Sequence, residues 1–132
     1  MQESFPELKS YFAQYPEIEA VYLFGSYATG KKTLMSDLDI AVLLEKDSSF
    51  ADLKIEIMAG LIEFGYDNAD LSILNNMSLV GKYEVVKHNK ILYQDKDFDS
   101  SSYFSLILRK YFDFQPYLEV QRKYLKERIL ND

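Results

Sequence analysis

The sequence predicts an α/β (α+β) fold: a small mixed β-sheet flanked by helices, with a long C-terminal helical segment. Three features predict it. Short apolar runs at residues 18–24, 37–44 and 69–74 read as strands, stretches of helical spacing lie between them, and an aromatic-rich helical pattern runs from Ser101 to the end. Alternation of strands and helices along a chain is the signature of helices layered on a sheet. At 132 residues the chain is expected to be one domain, 1–132, with a core over 1–95 and the helical segment over 97–132. A chain of that length can bury a sizeable core.

Each element follows from local chemistry. Ser4-Phe5-Pro6-Glu7 forms a capping box, with Ser at the cap and Glu three residues on. Leu8, Tyr11, Phe12 and Tyr15 then recur at helical spacing, and Pro16 ends the helix. Ile18–Phe24 is an apolar strand closed by Gly25. Asp37–Leu44 is the second strand. Ser49 and Asp52 cap the next helix, whose apolar face is Phe50, Leu53, Ile57, Leu61 and Phe64. Ala69–Leu74 is the third strand, a helix follows from about Met77 to His88, and Ile91–Tyr93 is a brief fourth strand. From Ser101 an aromatic stripe runs through Tyr103, Phe104, Ile107, Leu108, Tyr111, Phe114 and Leu118, and Pro116 is expected to kink or break it. About 30 helical residues span roughly 45 Å. That is far longer than the radius of gyration of about 14 Å expected of such a domain. The helix must therefore bend back or protrude. Gln94–Ser102 is the only linker-like stretch.

Composition narrows the function. Hydrophobic residues make up 48% of the chain, which suits a globular core rather than disorder. No apolar run is long enough to cross a bilayer, and MQESFPELKS has no basic region ahead of an apolar stretch, so a cytoplasmic protein without a secretory signal is expected. The absence of cysteine excludes disulfides and zinc ribbons. A formal charge of −6 argues against direct nucleic-acid binding, which draws its affinity from phosphate neutralisation.

The chemistry concentrates in GSYATGKKTLMSDLDIAVLL, Gly25 to Leu44. Strand side chains alternate with period two, so Asp37 and Asp39 share a face while Leu38, Ile40, Val42 and Leu44 face the core. The third strand repeats the device, with Asp70 and Ser72 opposite Leu71 and Ile73. If the two strands are neighbours, three carboxylates gather. Like charges about 4 Å apart repel by roughly 4 kcal/mol at an effective dielectric of 20. Such a cluster must take up protons or bind cations. Hard oxygen ligands suit Mg²⁺ or Mn²⁺, commonly completed by substrate phosphates. Gly25 lets a main chain approach an anion closely, and Ser26 offers a hydroxyl and an amide at a helix start. A triphosphate bridged by two metals is the natural ligand, and in-line displacement at phosphorus the natural reaction. Singly, an acidic pair on a strand is a solvated edge and a Gly-Ser is a turn. It is their conjunction in this chain order that points to a site.

These residues resemble the polymerase-β-like nucleotidyltransferase superfamily, with its GS, ten-residue gap, DxD and later third Asp. More narrowly, the short chain, the string Ser36–Val42 and the tail RKYFDFQPYLEVQRKYLKER resemble the minimal nucleotidyltransferases (MNT), antitoxin partners of HEPN ribonuclease toxins. The resemblance implies the polymerase-β-like fold and implies roles by position. Asp37 and Asp39 would ligate both metals, and Asp70 would ligate one and help deprotonate the attacking hydroxyl. Gly25 and Ser26 would hold the β- and γ-phosphates of ATP. It implies AMP transfer from ATP to a tyrosine of the toxin, with pyrophosphate leaving. Relatives commonly read GSYARG where this chain has Thr29, so either Lys31 or Lys32 supplies that positive charge or the contact is absent.

Lys82, early in the fourth helical segment, is a further candidate for the triphosphate, beside its plainer reading as an exposed lysine. His88, the only histidine, reads as a capping or surface group. The basic residues of the C-terminal helix, Arg109 to Arg128, suit a solvated face or docking on an acidic partner or a nucleotide, and an exposed aromatic and basic helix would suit a toxin interface. Homo-oligomers and hetero-oligomers with a toxin both fit. Competing functions are adenylylation of a small-molecule hydroxyl, of the aminoglycoside type, and a non-catalytic antitoxin that acts by occlusion. A template-directed polymerase fits least, given the charge sign.

Overall fold

The computed structural model describes residues 6–25, 38–45, 50–66 and 68–131. Its elements are helix α1 (Pro6–Ala13), strands β1 (Ile18–Phe24) and β2 (Leu38–Leu44), helix α2 (Phe50–Glu63), strand β3 (Ala69–Ile73), helix α3 (Leu79–Val86), strand β4 (Ile91–Gln94) and helix α4 (Ser100–Asn131). The expected capping residues Ser4 and Ser49 lie outside the described residues.

The four strands form one mixed sheet in the order β3-β2-β1-β4. β1 runs antiparallel to β2 and β4, while β2 and β3 are parallel. One face carries Leu38, Ile40, Val42 and Leu44 of β2 with Val21 and Leu23 of β1, and it buries Leu8 and Phe12 of α1 and Leu53, Ile57 and Leu61 of α2. Strand alternation sends Ala20, Tyr22, Ala41 and Leu43 to the opposite face, which packs on Val85 and Val86 of α3 and Ile107 of α4. The sheet is therefore sandwiched between two helical layers, α1/α2 and α3/α4.

Close approach in the first layer depends on one small residue. The Tyr11 hydroxyl donates to the Ile57 carbonyl at 3.1 Å, and a Cβ at Gly60 would collide with that hydroxyl. At the far end of the sheet, the Asn75 side chain acts as an extra strand residue. Its Oδ1 accepts from the Leu44 N–H and its Nδ2 donates to the Leu44 carbonyl, both at 2.8 Å. β3 accordingly ends one residue earlier than its apolar run, and Leu74–Asn76 turns as a 3₁₀ helix. α3 starts at Leu79 rather than Met77, because Ser78 caps it by accepting from the Gly81 N–H.

Two helix expectations change: the break allowed for at Pro116 is absent, and Phe64 lies off the buried stripe. α4 runs unbroken through Pro116. Proline removes a single bond, to the carbonyl four residues back, and here that carbonyl belongs to Phe112 in an exposed stretch where water can satisfy it. Phe64 does not complete the buried stripe of α2; it is an exposed residue just beyond the helix. The aromatic stripe of α4 divides in two. Tyr103, Phe104 and Ile107 pack on the sheet and Tyr111 stacks on Tyr83 with ring centroids 3.9 Å apart. From Phe112 to Arg128 every residue except the half-buried Leu118 is exposed. The second half of the helix thus leaves the body, one of the two outcomes its length allowed. No helix among the described residues is long and apolar enough to cross a membrane.

Acidic groups crowd the sheet end where β1 begins. Glu17 accepts from the Glu45 N–H through its carbonyl, and the Glu19 carbonyl accepts from the Asp95 N–H, each at 2.8 Å. Burial, then the charges of Glu45 and Asp95, push the Glu19 carboxyl above its usual 4.5. A carboxyl raised by folding favours the folded state when protonated, so its stabilisation is complete below 4.5 and fades as pH rises through the folded value. Melting midpoints are therefore expected to gain from Glu19 as pH is lowered from neutral toward that range. Glu19→Gln should flatten that part of the profile; an identical profile in the variant would contradict the assignment.

Candidate active site

The register of β2 and β3 builds the site. Asp39 is paired directly with Asp70, between Leu38↔Ala69 and Ile40↔Leu71. Leu38, Ile40 and Leu71 face the α1/α2 core, so alternation places both aspartates on the other face. Neighbouring strands lie about 4.8 Å apart, which sets the spacing of the two backbones beneath these carboxylates. Deeper along the same face Ala41 and Leu43 are sealed under α3 and α4. Toward the leading end of the strands the face opens: Asp39 is half-buried and Asp70 exposed.

On its other side Asp39 pairs with Phe24 of β1, and the chain then turns at Gly25. Gly25 has φ +71°, a conformation that side chains disfavour. A Cβ built there would run into the Asp39 carboxylate. The turn is therefore pressed against that carboxylate, and only glycine leaves room for it.

Of the residues picked from the sequence, the structure brings Gly25, Asp39 and Asp70 to one end of the sheet. Asp37 and Ser26 lie outside the described residues, as do Thr29, Lys31 and Lys32. Among the described residues no three acidic side chains converge into a metal-sized group. Lys82 lies half-buried in the first turn of α3, a helix packed on the same sheet face. Its ammonium makes no ion pair with either aspartate among the described residues. His88 sits in the turn after α3, as a residue of helix-end character would. Phe24, the cross-strand neighbour of Asp39, was not singled out by the sequence, although its place one residue before the glycine turn was a usable signal.

Comparison with known proteins bears on this geometry. A family model described as "Polymerase beta, Nucleotidyltransferase" matches residues 6–98, which include Gly25, Asp39 and Asp70. The chain belongs to the polymerase beta nucleotidyltransferase family. No curated protein sequence matches it. Among solved structures, this nucleotidyltransferase is similar to a chain of a toxin–antitoxin crystallised with AMP-PNP, at 26% identity and TM-score 0.68, over 94% of this chain and 95% of that one. A chain of a substituted MntA-HpeT toxin–antitoxin gives 27% identity and TM-score 0.66, over 95% of each. A chain of the tri-AMPylated Shewanella oneidensis HEPN toxin in complex with MNT antitoxin gives 24% and 0.64, over 95% of this chain and 93% of that one. At that last identity the likeness is one of fold. The polymerase-β-like fold expected from the sequence is thus the fold observed, and the MNT resemblance is matched by structures of MNT-containing toxin–antitoxin pairs.

Proposed function

We propose that this nucleotidyltransferase is the antitoxin of a toxin–antitoxin pair and transfers AMP from ATP to a tyrosine hydroxyl of a HEPN-type toxin in the cytoplasm. The observation that carries the reading is the in-register pair Asp39 and Asp70 at the open end of the sheet, with the Gly25 turn held against Asp39. The likeness to chains from toxin–antitoxin assemblies, one with AMP-PNP, supports the partner and the nucleotide.

The donor set fits a divalent cation. Both side chains present hard carboxylate oxygens, and the exposure of Asp70 leaves room for water and phosphate to complete a shell. Asp39 and Asp70, with Asp37, would hold Mg²⁺ or Mn²⁺. Such an ion, when bound, polarises the phosphoryl oxygens and acidifies a nearby hydroxyl. The rest is the work of this chain. Gly25 lets the β- and γ-phosphates approach the main chain of the turn, and Ser26 supplies its hydroxyl and N–H. Asp70, the more open carboxylate, accepts the phenolic proton, which otherwise leaves with a pKa near 10. The tyrosine oxygen bonds to the α-phosphorus as the bond to the β-phosphate bridge breaks, and pyrophosphate departs with its electron pair. Lys82 would steady the triphosphate from α3.

Incubating the chain with ATP, Mg²⁺ and the toxin encoded beside it should add the mass of an adenylyl group to a toxin tyrosine and release pyrophosphate. Label appearing only on a small hydroxylated compound would replace the substrate. Full toxin inhibition with no transfer would replace catalysis by occlusion.

A further inference from the structure

Two helical faces of this molecule are apolar and uncovered among the described residues, and they carry opposite charge. The first is the outer face of α2. Opposite the buried Leu53, Ile57 and Leu61, the helix presents Ala51, Ile55, Ala59 and Ile62 at spacings of four, four and three. Ile55 is 71% exposed and Ile62 57% exposed. A helix apolar on two opposite faces expects a layer on each. Along one side of this stripe stand the exposed carboxylates Glu56 and Glu63.

The second is the free half of α4. Leu118 and Leu125 lie seven residues apart, as do Tyr117 and Tyr124, and together they form one stripe. Leu125 is 60% exposed and Tyr124 69% exposed. Arg122 and Lys126 flank the leucines, and Arg128 continues the stripe at its end. Over residues 118–128 there are four basic side chains against two acidic ones, in a chain whose net charge is −6.

The two faces match in repeat as well as in charge. Ile55 and Ile62 are also seven residues apart, so each pair spans about 10.5 Å along its helix. A shared seven-residue repeat lets side chains of facing helices interdigitate. Within one molecule they cannot meet, because α2 belongs to one layer of the sandwich and α4 to the other, with the sheet between. We infer that the chain self-associates, the free half of α4 of one copy lying on the outer face of α2 of a second copy. Reciprocal exchange uses both faces of both copies once and closes on a two-fold axis, whereas a one-way contact would leave open chains. A stable complex buries roughly 1,200–2,000 Å², and reciprocal exchange doubles the area that one helix–helix contact would cover.

Sedimentation velocity on the full chain without toxin, from micromolar to submillimolar concentration, tests this. The expected result is a dimer that weakens as salt is raised. Ile55→Glu and Leu125→Glu, exposed positions on separate helices, should each raise the dissociation constant at least about tenfold. Charge reversal by Glu56→Lys with Glu63→Lys should weaken the dimer too. Adding Arg122→Glu and Lys126→Glu to that variant should restore it. A chain that stays monomeric throughout, or a dimer indifferent to both apolar substitutions, overturns the proposal. So does a monomer in which these substitutions instead cost toxin binding, since that assigns the faces to the toxin.

Discussion

Asp39→Asn is expected to lower AMP transfer by about three orders of magnitude while the chain still folds. Asparagine keeps the shape of the side chain, and the position sits at the open end of the sheet rather than in either core cluster. What it removes is a charge aimed at the site. A cation held by carboxylates stabilises a phosphoryl transition state by several kcal/mol, and each 1.4 kcal/mol or so is tenfold in rate. A rate effect alone would not separate lost metal binding from a general disturbance, so a second readout is needed. A ligand bound only to the folded state stabilises it by about 2.7 kcal/mol at a hundred times its dissociation constant. Mg²⁺ with a non-hydrolysable ATP analogue should therefore raise the melting midpoint of the parent chain by several degrees. Asp39→Asn should melt as cooperatively as the parent but lose most of that rise. Full transfer by the variant, or an undiminished rise, would show that Asp39 does not hold the cation.

The sequence made this position visible because strand alternation is strict. Once Leu38, Ile40, Val42 and Leu44 were placed on the core, Asp39 had to face the other way, and Leu71 and Ile73 did the same for Asp70. What alternation could not supply was the pairing. That β2 and β3 are adjacent, parallel and in register at these two residues is a long-range fact, secured in part by Asn75 clasping the end of β2. No local pattern announces a side chain that stands in for a strand. Nor did the spacing of the acidic pair show that Ala41 and Leu43, further along the face of Asp39, are buried by helices far along the chain.

Helices were legible in the same partial way. The stripe of Leu53, Ile57 and Leu61 is the dominant one on α2, and reading it hid the weaker stripe of Ile55 and Ile62 on the opposite side. Pro116 fails to break its helix for a different reason. Its cost to a helix interior is real, about 3 kcal/mol on peptide scales, but the helix on both sides of it is long, and one missing bond at an exposed turn does not separate the halves.

Gly25→Ala should damage both stability and catalysis, and the two costs can be told apart. Holding a side chain at φ +71° costs about 1–2 kcal/mol by itself. The added methyl also runs into the Asp39 carboxylate, so either the turn or the aspartate must move. A displacement of about 1 Å of a group positioned at a reacting centre can cost a hundredfold in rate. AMP transfer is therefore expected to fall by about two orders of magnitude. Denaturant unfolding of Gly25→Ala, Asp39→Ala and the double variant separates the causes. Strain at the turn is the same whether or not the carboxylate is present, whereas the collision vanishes with it. The double variant should thus be more stable than the sum of the single effects predicts, by at least about 1 kcal/mol, within the range seen for side chains in direct contact. Additive effects would mean that the turn and the carboxylate do not press on one another, and the glycine would then matter for its backbone angle alone.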